Sequence, residues 1–147
     1  FRSFADTLLI ALDGTEYFSS TQIHCPHCST RTLKSEKIHY FHSVVTPVIV
    51  APGQAHVIPL MPEFVLPQDG HGKQDCENAA AKRWLSQQGK RYSKLNVTIL
   101  GDDLYCHQPY CQQLLAQNFN FILVCRPESH TTLYEHLEGI ELLNKIL

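Results

Sequence analysis

Two stretches decide how this chain folds: Thr7-Leu-Leu-Ile-Ala-Leu-Asp13-Gly14-Thr15 and Val97-Thr-Ile-Leu-Gly101-Asp102-Asp103-Leu104-Tyr105. Each is a short, unbroken apolar run that stops at an aspartate. Such runs, too short for helices and bounded by turn residues, are what strands buried on both faces look like. Side chains alternate along a strand, so Asp13 falls on the face of Leu9 and Ala11, and Asp102 on that of Thr98 and Leu100.

Working outward, Ile38 to Val50 is rich in β-branched and aromatic residues and is broken by Pro47. Ala51-Pro-Gly-Gln54 is a turn leading into His56 to Leu60, so this part predicts a hairpin. Five prolines between positions 47 and 67 suit edge strands and an extended connection and exclude a helix. Asp75 to Gln88 predicts a helix, with Trp84 and Leu85 four residues beyond Ala80 and Ala81, and with Gly89 as its stop. Pro109 suits the first turn of a second helix running to about Asn118, Phe119 to Cys125 predicts another buried strand, and Ser129 is a candidate cap for a last helix bearing Leu133 and Leu137. A hairpin followed by alternating helices and strands predicts a mixed α/β sheet with helices on its faces.

The composition bounds the function. The 147 residues are 44% hydrophobic and 18% charged, which predicts one globular domain over residues 1–147 rather than a disordered chain. No apolar run approaches the roughly 18 residues of a membrane helix. Twelve Lys and Arg against 14 Asp and Glu leave a net charge of -2, so nucleic acid would have to be met locally and not through a basic excess. The six cysteines, without a leader-like segment, read as reduced cytosolic thiols. Opening on Phe1 and closing inside the periodic run Leu137, Ile140, Leu143, Leu147, the chain reads as cut from something longer at both ends.

Carboxylates at strand ends carry the first chemical expectation, because ligands of α/β sheets gather at the carboxyl ends of strands. Converging hard oxygens suit Mg²⁺ or Mn²⁺, and two such ions about 4 Å apart serve phosphodiester chemistry. Asp-Gly and Gly-Asp-Asp are also ordinary turn sequences, so either alone says little. The two aspartate-ended runs, the Ile58-Pro-Leu60 strand and the Lys82-Arg-Trp-Leu85 helix together resemble the catalytic domain of the DDE insertion-sequence transposases, over about residues 7–138.

That resemblance implies a ribonuclease H-like fold, with Asp13 as the first acidic ligand and Asp102 as the second, Asp103 being the alternative. It implies two Mg²⁺ or Mn²⁺ ions, cleavage and strand transfer at transposon ends, double-stranded DNA as partner, a homodimer and a bacterial cytosolic setting. The family's third ligand is a glutamate on a helix after the fifth strand, within a Tyr, Arg, Glu, Lys pattern that this chain lacks. Glu135, Glu138 and Glu141 lie on the last helix without that pattern, so the third carboxylate is expected beyond this chain, which would then be inactive alone. Glu77 reads as a first-turn charge favoured by the helix dipole.

A second expectation comes from Ile23-His-Cys-Pro-His-Cys28, a Cys-x-x-Cys knuckle in a Cys/His-containing loop spanning residues 19–42. Cys25 and Cys28 offer half of a structural zinc site, with His39 and His42 as the other half, although on a strand those two histidines point to opposite faces. Cys106 and Cys111 read as packing groups. His71 and His107 lie near the acidic strand ends in sequence order. Lys73, Lys82, Arg83, Lys90, Arg91 and Lys94 cluster around the Trp84 helix, Lys82 and Arg83 being the candidate DNA contacts. Two other readings stay open: a non-catalytic zinc-stabilised binding module, and a stand-alone ribonuclease H-like nuclease.

Overall fold

The computed structural model describes residues 6–67 and 73–146, with side chains for 6–67 and 77–140. Its strands are β1 (Leu8–Ala11), β2 (Gly14–Ser20), β3 (Ser29–Thr32), β4 (Ile38–Val45), β5 (Val48–Val50), β6 (Ile58–Pro59), β7 (Glu63–Phe64), β8 (Val97–Gly101) and β9 (Asn120–Leu123). Its helices are α1 (Lys73–Tyr92), α2 (Gln108–Ala116) and α3 (Thr131–Ile146), and a 3₁₀ turn spans Asp103–Tyr105. The described residues thus form a mixed α/β protein with a five-stranded mixed sheet and a four-stranded antiparallel sheet.

In the larger sheet the order is β6-β5-β1-β8-β9. β1 lies at the centre, antiparallel to β5 and parallel to β8, which is itself parallel to β9. The core lies under α1 and α2. Ile10, Val97, Ile99, Trp84, Tyr110 and Leu114 are all fully buried there. At roughly 1.5–3 kcal/mol for each large apolar side chain removed from water, this cluster is the main force holding the helices to the sheet. Buried polar groups at the start of β1 are satisfied: the Thr7 hydroxyl contacts Thr98 Oγ1 at 2.9 Å and the Asn96 carbonyl at 2.6 Å.

The smaller sheet grows out of the larger one. β1 pairs with β5 through Leu9↔Val50, Ile10↔Ile49 and Ala11↔Val48, and β2 continues in the same register against β4 through Gly14↔Val45 and Thr15↔Val44. The two pairs are therefore one long antiparallel ribbon. It leaves the five-stranded sheet where Asp13 faces Thr46, whose backbone N–H donates to Asp13 O at 2.9 Å. Pro47, fully buried, has no N–H to pair and sits at this departure point. β3 and β7 add to the other edge of β4, and a register shift between Glu16 and Phe18 bends the ribbon towards its tip.

Several expectations change in detail. Ile38 to Val50 is two strands serving two sheets. α1 does not stop at Gly89 but runs on to Tyr92. Gly89 instead lies where the Gln117 side chain at the α2 end approaches α1, 3.2 Å from where a Cβ would be. The left-handed residues after α1 and α2 are Asn96 (φ 48°) and Asn118 (φ 62°). Ser129 does not cap α3, because its hydroxyl donates to Asp103. The polar, largely exposed β2 and β3 were not legible as strands. The expected turn at 51–54 is present, with Gly53 at φ 77°. Among the described residues no helix is long and apolar enough to cross a membrane.

Candidate functional site

Parallel pairing of β1 with β8 is in register through Leu9↔Thr98 and Ala11↔Leu100, and Leu12 N–H donates to Leu100 O at 2.9 Å. Two residues further along both strands stand Asp13 and Asp102. Adjacent strands are about 4.8 Å apart, so the two aspartates follow the ends of neighbouring strands. Both are exposed. The Asp102 carboxylate also accepts from Leu104 N–H at 3.0 Å, starting the 3₁₀ turn.

Asp103 is turned to a different task. It accepts from Arg126 N–H at 2.8 Å and from the Ser129 hydroxyl, and its Oδ1 lies 3.3 Å from His130 Nε2. Those hydrogen bonds, Ser129 first, hold its carboxyl below the usual carboxylate range. Asp103 ties the loop after β9 to the end of β8.

Glu77, read as a dipole-favoured surface charge, is only 5% exposed. Its carboxylate fills the space that a Cβ on Gly14 would occupy, next to Asp13. Beneath these groups lies Tyr105, fully buried, its hydroxyl without a hydrogen-bond partner among the described residues. Burial raises the Tyr105 phenol first, and the nearby negative charges of Glu77, Asp102 and Asp13 add to it. All three carboxylates are near enough to Tyr105 for their charges to be felt there. Their oxygens do not form a closed group: among the described residues, the only sets of three ligand atoms all within 4.8 Å of one another are two Cys-Cys-His groups.

The first of these is Cys25, Cys28 and His42. The sulfurs are 3.8 Å apart, and His42 Nε2 lies 3.3 Å from each. Zinc with Zn–S of about 2.3 Å and Zn–N of about 2.0 Å at tetrahedral angles would require about 3.8 Å between sulfurs and about 3.5 Å from sulfur to nitrogen. Cys28 N–H closes the knuckle on Cys25 O at 3.2 Å. His39 does not join: on the face of Phe41 and out of phase with His42, it stacks on Phe41, and its Nδ1 is buried without a partner among the described residues. His24 is held on the Tyr40 ring at 4.3 Å.

The second group is Cys106, Cys125 and His130. Cys106 follows the 3₁₀ turn, Cys125 follows β9, and His130 precedes α3, so only the fold brings them together. Burial, and then the second thiol of Cys125, push the Cys106 thiol up to about 11. Sequence reasoning took Cys106 for a packing residue, and no local spacing could have revealed the group.

His107 lies at the same end of the sheet, where Nε2–H donates to Asn78 Oδ1 at 2.8 Å. Burial, aided by the charge of Lys82, lowers its pKa and keeps the ring neutral. Arg83 is engaged within the molecule, its Nε donating to Glu63 Oε1 at 2.7 Å and its Nη2 to Phe64 O at 2.7 Å, which fastens α1 to β7. Glu135 and Glu138 are exposed on α3. His71 and the side chains of Lys73 and Glu141 lie outside the described residues.

The fold and these groups define a mixed α/β protein with acidic strand ends and two Cys-Cys-His groups able to take a metal such as zinc. No protein-family model matches the chain, and no curated protein matches it.

Proposed function

We propose that the chain is the ribonuclease H-like core of a DDE-type DNA transposase, acting on phosphodiester bonds at transposon ends. The observation that carries the proposal is the in-register parallel pairing of β1 with β8, up to Ala11↔Leu100, each strand being followed two residues on by an aspartate, Asp13 and Asp102. Support also comes from the strand order β6-β5-β1-β8-β9, with β1 central and β5 alone running against the other four.

Asp13 and Asp102 would hold Mg²⁺ or Mn²⁺, and the buried Glu77, packed against Gly14, would be the candidate third carboxylate. Hard carboxylate oxygens fit these ions, and their looser spacing suits sites where water and substrate phosphate supply the remaining ligands. Bound there, the metal would activate an attacking oxygen and stabilise the leaving one. The chain's own part is to fix the carboxylates: Leu104 N–H orients Asp102, and Gly14 gives Glu77 room. DNA would be met locally, with Lys82 near His107 better placed than Arg83, which is already paired. The Cys25, Cys28 and His42 group would hold a structural zinc ion at the tip of the ribbon.

The test is Mn²⁺ binding by the zinc-saturated chain, followed by electron paramagnetic resonance, together with Mn²⁺-dependent nicking of supercoiled plasmid. Saturable binding that is lost in Asp13→Asn and in Asp102→Asn supports the reading. Stoichiometric zinc with no Mn²⁺ binding, unchanged by Asp13→Asn, sinks it and leaves a zinc-stabilised binding module.

A further inference from the structure

We propose that Cys106, Cys125 and His130 hold a zinc ion that staples the carboxyl ends of β8 and β9 together beside Asp102. Two thiol sulfurs and one imidazole nitrogen lie within 4.8 Å of one another, drawn from three separate elements. Backbone pairing between β8 and β9 ends just before this point, with Val124 N–H donating to Gly101 O at 3.0 Å. The ligands therefore gather where the sheet has stopped doing the holding.

The surroundings are those of a metal ligand set. His130 Nε2 is buried and lies 3.3 Å from Asp103 Oδ1, which leaves Nδ1 as the nitrogen to ligate. Asp103 stands where a carboxylate orients a ligating histidine, an outer-shell arrangement common at zinc sites. Both thiols are free, and so is Cys111 on the first turns of α2. The cleft beside them, about 370 Å³, is lined by Asp102, His107, Arg126 and Ser129, so solvent reaches the site.

The donor chemistry selects the ion. Two thiolates and an imidazole prefer zinc over Mg²⁺ or Mn²⁺, which take oxygen, so this centre does not compete with the acidic one for its metal. On binding, Cys106 and Cys125 each give up a thiol proton to solvent, and the zinc takes water as its fourth ligand. The consequence is mechanical. The zinc fixes the residue after the 3₁₀ turn, and Asp102 begins that turn, so the staple sets the position of Asp102 from its far side.

The experiment uses the full chain purified under reducing conditions, with zinc measured by elemental analysis. One zinc per Cys-Cys-His group is expected in the parent chain. Cys25→Ser with Cys28→Ser should remove one and leave the other. In that background Cys106→Ser or His130→Ala should remove the rest, whereas His130→Cys, which restores a ligand, should keep it. Cobalt substitution should give a thiolate charge-transfer band in the same variants that keep zinc. Should a variant fail to fold, the parent chain decides by alkylation. Chelation should unmask Cys106 and Cys125 together, as read by peptide mass. Equal labelling before and after chelation, a Cys106–Cys125 disulfide in the native protein, or a folded Cys25→Ser/Cys28→Ser chain without zinc would each overturn the proposal.

Discussion

Gly14 has no side chain, and the carboxylate of Glu77 occupies the space where a Cβ would be. This contact joins the residue after Asp13 to the first described turns of α1, so the geometry at the end of β1 depends on an acid some sixty positions away. Gly14→Ala should overpack the site and destabilise the fold by about 1–3 kcal/mol. In a Glu77→Ala background the same change should cost much less, because the clash partner is gone. Urea unfolding of the two single variants and the double variant measures the coupling, and simple additivity would show that the carboxylate does not depend on the glycine.

The two neighbouring aspartates should separate by function. With saturating Mn²⁺ at about a hundred times its dissociation constant, the parent chain should gain about 2.7 kcal/mol of stability. Asp13→Asn and Asp102→Asn should abolish that gain. Asp103→Asn should keep it, because that carboxylate serves Arg126, Ser129 and His130 instead. Its effect should appear as faster hydrogen exchange in the loop between β9 and α3. Thermal melts with and without Mn²⁺ distinguish the three.

What could be read from the chain beforehand divides along physical lines. β1 and β8 were legible because both faces are buried, leaving continuous apolar runs, and their aspartates marked where burial ends. β2 was not, because Gly14-Thr-Glu-Tyr-Phe-Ser-Ser20 is mostly exposed and carries no clean alternation. The Cys-x-x-Cys knuckle was visible since its spacing is local, yet choosing between His39 and His42 needed the strand's facing. Glu77 had an adequate local explanation in the helix dipole, and only the approach of α1 to Gly14 shows its burial. Cys106, Cys125 and His130 are separated in sequence by a whole helix and strand, so nothing short of the sheet order assembles them.

At the ribbon tip, His42 and His39 offer a sharp contrast on one strand. Chelation of the first zinc should be eased at least tenfold by His42→Ala, which removes a ligand, and hardly changed by His39→Ala. Competition with a chromophoric chelator reads the affinity directly. Equal loss in both variants would place His39 in the site after all.

Arg83 ties α1 to β7 through Glu63 and the Phe64 carbonyl. Both side chains are partly exposed, so solvent screening limits the pair, and Glu63→Gln should cost no more than about 1 kcal/mol. Because the guanidinium is already engaged, Arg83→Ala should lower stability while leaving the salt dependence of DNA binding unchanged. Lys82→Ala should do the reverse, reducing the slope of log affinity against log salt by roughly one phosphate contact.

Tyr105 supplies the most direct reading of the acidic end. Its hydroxyl is buried without a hydrogen-bond partner among the described residues, within reach of the charges of Glu77, Asp102 and Asp13, and burying it so costs the fold free energy. Replacing it by phenylalanine keeps the ring that packs against Tyr110 and removes only the unsatisfied group. Tyr105→Phe should therefore leave the metal-free chain as stable as before, or up to about 1 kcal/mol more stable. If the hydroxyl is there to hold a carboxylate once metal draws the three acids together, the same change should weaken Mn²⁺ binding. Stability and Mn²⁺ affinity then move in opposite directions, a result that simple loss of packing cannot give, since a packing defect lowers both.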